Sequence, residues 1–103
     1  MNKARVKTAY EELGFPDASE MAVKAQLTMK IAEILNERKW TQQKAAKVLG
    51  MTQPKLSKML RGQFRGISEI KMMECLVLLG RDVKIVVGPA DKRGKSGVEV
   101  IAA

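Results

Sequence analysis

Between Arg38 and Ser68 the chain carries eight basic side chains, Arg38, Lys39, Lys44, Lys47, Lys55, Lys58, Arg61 and Arg65, and no Asp or Glu. The whole chain of 103 residues holds 19 Lys+Arg against 11 Asp+Glu, a formal net charge of +8. The rest of the chain is therefore neutral, and the net charge belongs to this one segment. A face that charge merely keeps soluble mixes both signs. Complete exclusion of acid over such a length points to a polyanion partner. Histidine is absent and Cys75 is the lone cysteine. That removes imidazole acid–base chemistry, Ser–His and Cys–His nucleophile pairs, and nearly all transition-metal sites. The expectation is a binding protein with no cofactor and no metal, not an enzyme.

The charged segment must be held by a small core. At this length one domain is expected, and 46% apolar residues suffice to build it. Aromatic residues are only 4%, and seven Met outnumber Phe, Trp and Tyr together. An aliphatic, methionine-rich core suits a mainly α fold. One cysteine makes no internal disulfide, and no apolar run is long enough for a signal segment or a membrane span. The expected compartment is a reducing cytoplasm.

Residues 1–16 read as an arm or a short helix ended by Gly14–Phe15–Pro16. Asp17 with Glu20 has the pattern of a capping box. Val23, Leu27, Ile31, Ile34 and Leu35 follow at helical spacing, with Lys24, Lys30, Glu33 and Glu37 assigned to the other faces. This helix is about twenty residues long and ends near Lys39. Thr41 caps a second helix buried through Ala45, Ala46, Val48 and Leu49, and Gly50 is its left-handed stop. Thr52 caps a third, with Gln53 and Pro54 in the first turn, where proline costs no hydrogen bond. Leu56, Met59 and Leu60 bury it, and Arg61–Gly62 closes it. Ser68 caps a fourth helix that carries Ile70, Met73, Leu76, Val77 and Leu79 and stops at Gly80. The period then becomes two over Asp82–Val87, which reads as a strand, with Val98–Ile101 as a second strand or a frayed tail.

Two short helices joined by a glycine turn inside a purely basic segment describe a helix-turn-helix. Ala46 is small enough for the second helix to cross closely, and Gly50 allows the positive φ of the turn. The stretch Thr41–Gly62 resembles the Cro/cI-type, or XRE, family. The resemblance rests on Thr41–Gln42, Leu49–Gly50, Ser57 and Arg61–Gly62, and with the flanking helices it covers roughly residues 22–80. Leu13-Gly-Phe15 and Leu79-Gly-Arg-Asp-Val-Lys-Ile-Val-Val87 resemble a small single-domain subgroup that includes HigA-type antitoxins.

The resemblance implies a lambda-repressor-like bundle of four or five helices, here with a C-terminal β-strand or hairpin, that binds palindromic double-stranded DNA as a homodimer. It divides the chain into an N-terminal element (1–16), the DNA-binding domain (17–80) and a C-terminal dimerisation element (81–103). It places Thr52–Arg61 in the major groove, with Gln42 and Thr52 on phosphate and Gln53 and Lys58 on base edges. Glutamine pairs bidentately with adenine and lysine donates to guanine, so the residue types agree. Lys44, Lys55 and Arg61 are placed for phosphate, a role any well-positioned cation fills. Two departures matter. Pro54 stands where many relatives carry a polar base reader, and Leu60 stands where many carry an acidic residue that pairs with the first helix of the motif.

Of the other residues, Cys75, Trp40 and Met72–Met73 read as core. Lys92, Arg93 and Lys95 read as a solubilising loop. Val83, Ile85 and Val87 are expected to pair with a second chain, because a lone strand leaves open edges. The functional expectation is an autorepressing transcriptional regulator. The alternatives are an antitoxin that neutralises a partner toxin protein, and an interaction module that no longer reads DNA.

Overall fold

In the computed structural model of the chain, residues 18–92 and 97–102 are described. The N-terminal arm, the Asp17 cap, and Arg93 and Lys95 of the second basic cluster lie outside them. Four helices follow in order: α1 Ala18–Arg38, α2 Gln42–Leu49, α3 Gln53–Leu60 and α4 Glu69–Leu78.

Three side-chain oxygens start the short helices. Thr41 Oγ1 accepts the Lys44 amide at 3.1 Å, Thr52 Oγ1 the Lys55 amide at 3.4 Å, and Ser68 Oγ the Lys71 amide at 3.0 Å. Each satisfies a first-turn N–H that has no partner within its own helix. Gly50 stops α2 at φ 63°, ψ 37°. The Met51 amide then reaches back to the Ala46 carbonyl at 3.0 Å. Space for a Cβ exists at Gly50, since the nearest atom is Lys71 Nζ at 4.0 Å. The glycine is needed for its backbone angle, not for room.

The core runs through all four helices. Leu27, Ile31, Ile34 and Leu35 of α1 meet Leu49 of α2, Leu56 and Met59 of α3, and Met72, Cys75 and Leu76 of α4. Phe64 and Ile67, from the loop after α3, are buried with them. Ala45 and Ala46 are buried where α2 crosses α3, as their size predicts. Cys75 is fully buried, and burial pushes its thiol pKa up; Lys71 opposes that shift and Glu74 adds to it. It behaves as a small core residue with little thiolate character.

Four expectations need correction. Val48 is 37% exposed, because it is turned about 100° from Leu49 around a helix whose inward side is Ala45, Ala46 and Leu49. Leu60, at the last turn of α3, is only half-buried. Lys24 faces inward and is 2% exposed, since it shares the α1 stripe of Leu27 and Ile31 at spacings of three and seven.

The fourth concerns the C-terminal segment. Among the described residues there is no strand, and neither 82–87 nor 98–101 forms one. A strand exists only as part of a ladder, and no described segment pairs with either stretch. Val83 packs half-buried on the core, while Ile85, Val86 and Val87 are all exposed, so the alternation does not separate two faces. The tail is held differently. The Val100 amide donates to Gln26 Oε1 of α1 at 2.9 Å, and Val100 packs against the core.

Long basic side chains also tie the helices together through backbone carbonyls. Lys71 of α4 donates to the Leu49 carbonyl at 3.0 Å, placing a cation at the C-terminal end of α2 where the helix dipole favours it. Arg38, ending α1, donates to the Leu79 carbonyl just after α4. The first ties α4 to the end of α2, and the second ties α1 to the end of α4.

Candidate nucleic-acid interface

All eight cations of the basic segment are exposed, from the end of α1 through α2 and α3 to the loop that follows. Leu56 and Met59 point inward and are fully buried. At 100° per residue that leaves Gln53, Pro54, Lys55, Lys58 and Arg61 outside, and all five are exposed. Thr52 is spent twice in this geometry: its oxygen caps α3, and the residue itself stands at the exposed N-terminal end. That end concentrates the positive pole of the helix, which suits a phosphate. Gln53 occupies the first helical position, so its amide projects from the leading edge of α3.

Arg61 does not hang free. Its guanidinium donates to Ser57 Oγ, one turn back, at 2.9 Å, which holds the cation along α3. Gly62, at φ 84°, then reverses the chain, with its amide on the Met59 carbonyl and the Gln63 amide on the Lys58 carbonyl. The turn brings Gln63 and Arg65 alongside α3. Lys55, Lys58, Gly62, Gln63, Arg65 and Gly66, with Ile67, line an open cleft of about 510 Å³. Three cations and no carboxylate line it, which suits a phosphate group.

Gln42 and Lys44 sit at the other end. Gln42 is the first residue of α2 and is exposed, beside the Thr41 cap. Lys44 Nζ lies 4.7 Å from the centre of the Trp40 ring, and the Arg38 guanidinium lies 5.1 Å from it. Trp40 is thus half-buried, with its body on the core and two cations at its face. It joins the packing, as the sequence suggests, and also arranges charge at the α2 N-terminus.

All seven residues predicted to touch DNA therefore lie exposed on α2, α3 and their caps: Gln42, Lys44, Thr52, Gln53, Lys55, Lys58 and Arg61. Gln63 and Arg65 are cleft residues that linear reasoning passed over. Arg65 stands in the acid-free segment, a signal available in advance. Gln63 has none, because only the reversal at Gly62 carries it back to α3.

Two short helices at a glycine turn, the second presenting its polar N-terminal face, define a helix-turn-helix. The chain belongs to the helix-turn-helix domain family, which matches residues 9–88. This family is a DNA-binding, non-enzymatic class. A solved structure described as "Putative XRE Family Transcriptional Regulator" is similar at 31% identity and a TM-score of 0.80. The match covers 85% of this chain and 100% of that one. No curated protein matches the chain. Among the described residues, no helix is long and apolar enough to cross a membrane.

Proposed function

We propose that the protein is a cytoplasmic transcriptional regulator that reads a palindromic operator, its own promoter included, as a homodimer. The observation that carries this reading is the acid-free exposed face of α3, which offers Gln53 at its leading edge and Lys58 in its last turn among cations. In this reading Gln53 and Lys58 reach base edges in the major groove. Gln42, Thr52, Lys44, Lys55 and Arg61 hold the flanking phosphates, which sets register without reading sequence. Pro54 contributes no hydrogen bond to a base, so few side chains carry the discrimination.

Fluorescence anisotropy with the upstream DNA and a scrambled duplex, titrated over salt, tests this. Lys44, Lys55 and Arg61 from two protomers neutralise enough phosphate for log K to fall with log salt at a slope of about −5. Preference for the upstream DNA by about a thousandfold or more is the expected result. Equal binding to both duplexes would remove the operator reading and leave a non-specific DNA binder.

Dimerisation is supported by the C-terminal strip. Ile85, Val86 and Val87 are 75%, 87% and 91% exposed, and Val77 and Leu78 on α4 are also open. Three consecutive exposed apolar side chains at Ile85–Val87 suit burial against another protein surface. A second copy covering Val83, Ile85 and Val87 sets two α3 helices about 34 Å apart, one turn of DNA. Ile85→Asp with Val87→Asp is expected to yield monomers by sedimentation, with operator binding lost well before the fold. If the unaltered protein is already monomeric, the strip serves a different protein, and the antitoxin reading takes precedence. Co-purification with the product of an adjacent gene then decides it.

A further inference from the structure

Lys24 is 2% exposed, yet its ammonium reaches oxygens from three parts of the chain. It donates to the Arg65 carbonyl at 3.1 Å, and lies 3.2 Å from Glu20 and 3.5 Å from Glu69. Glu20 belongs to the first turn of α1 and Glu69 to the first turn of α4, where carboxylates are favoured. The third partner is different in kind. Arg65 belongs to the loop that walls the cationic cleft with α3.

Burying a charge is not an efficient way to stabilise a core, since an apolar side chain of similar volume does as well or better. What the ammonium adds here is position. The start of the loop is tied to α3 through the Gly62 and Gln63 amides, and its end is anchored by the buried Phe64 and Ile67. The Lys24 bond is a tie at Arg65 itself. It fixes that peptide against α1 while the Arg65 side chain remains on the surface.

We infer that Lys24, braced by Glu20 and Glu69, is a positioning residue for DNA: it holds the Arg65 backbone so that the Arg65 guanidinium completes a phosphate seat with Lys55, beside the base-reading Lys58. This rests on the DNA-binding reading above. Lys24 itself never touches the nucleic acid. The seat is formed before DNA arrives, so little ordering is left to do on binding.

The test is a double-mutant cycle on DNA affinity, using Lys24→Met and Arg65→Ala across a salt series. Each single variant is expected to weaken binding to operator and scrambled duplex alike, by about tenfold, and to make the salt slope shallower by about 0.9 per protomer. The double variant is expected to be no weaker than either single one, because both remove the same contact. Ile34→Val, buried on the same helix away from the loop, lowers the melting temperature but leaves the slope unchanged. Glu69→Gln supplies an arm that survives if methionine at position 24 does not fold. Removing an acid should strengthen DNA binding on charge alone, whereas loosening the brace weakens it.

A wild-type slope in Lys24→Met, multiplicative losses in the double variant, or tighter binding by Glu69→Gln would each overturn the inference. Failure of the unaltered protein to bind DNA removes the DNA reading and this inference together, and is told apart because no substitution is involved.

Discussion

Alanine at Gln53 and Lys58 is expected to abolish most of the preference for operator over scrambled DNA while leaving the fold intact. Each bidentate contact to a base edge carries about 1–3 kcal/mol of discrimination, or roughly 5- to 150-fold. A dimer loses the contact in both half-sites, so one substitution removes about 2–6 kcal/mol. Neither side chain supports the core: Gln53 and Lys58 are exposed, and Thr52 caps α3 whichever residue follows. Alanine also favours the helix more than either residue it replaces, so the melting temperature should barely move. The two positions separate by salt. Gln53→Ala leaves the salt slope unchanged, because no charge is lost. Lys58→Ala does the same if the ammonium sits on guanine, but makes the slope shallower by about 0.9 per protomer if it sits on phosphate. Anisotropy on both duplexes at several salt concentrations reads all of this. Unchanged discrimination in the double variant would place base reading elsewhere on α3.

Leu56→Ala is expected to act on the opposite side of the same helix and to destabilise the fold. Leu56 is 0% exposed in the shared core, so its truncation leaves a cavity that close-packed neighbours fill only in part. Such replacements cost about 2–5 kcal/mol, against a total stability of about 5–15 kcal/mol for small domains. The corresponding fall in melting temperature is on the order of 10–40 °C. Thermal denaturation followed by helical circular dichroism measures it. DNA affinity should fall for operator and scrambled duplex in equal proportion, following the unfolded fraction and not the contacts. Leu60, one turn on and half-buried, is the internal comparison: its truncation should cost markedly less. Equal effects at the two positions would mean that Leu56 is not the anchor of α3.

These two substitutions show why the candidate site was legible in the residues alone. On a helix, the inward and outward sets are fixed by a 100° step, so naming Leu56 and Met59 as buried already names Gln53, Lys55, Lys58 and Arg61 as available. Caps are similarly local. Thr41, Thr52 and Ser68 act on amides three residues away, and Gly50 on its own φ, so no distant part of the chain has to be known.

Val48 was a local misreading of the helix step, whereas for Lys24 and Asp82–Val87 the deciding partner lay far along the chain or is absent among the described residues. Lys24 pairs with Glu20 at i,i+4 as a surface lysine would, yet it is buried. Its burial comes from Arg65 and Glu69, more than forty residues away. Lys71 and Arg38 likewise find distant backbone carbonyls, at the end of α2 and just after α4. Long flexible side chains reach several directions at equal local cost, and only packing selects one. Asp82–Val87 failed for the converse reason. Alternation records what a strand needs from its side chains, but a strand also needs a neighbour for its amides, and composition carries no record of whether one is present.

The four helices, the caps of α2, α3 and α4, the glycine turn and the concentration of positive charge on the α2–α3 unit follow from local residues, because each depends on positions within about one turn of one another. Packing alone makes Gly62 turn Gln63 and Arg65 back beside α3 to wall an open cationic cleft, and puts a buried ammonium on that loop. Those outcomes join atoms distant in sequence. They depend on which surfaces meet once the core has packed, and that geometry exists only in the folded chain.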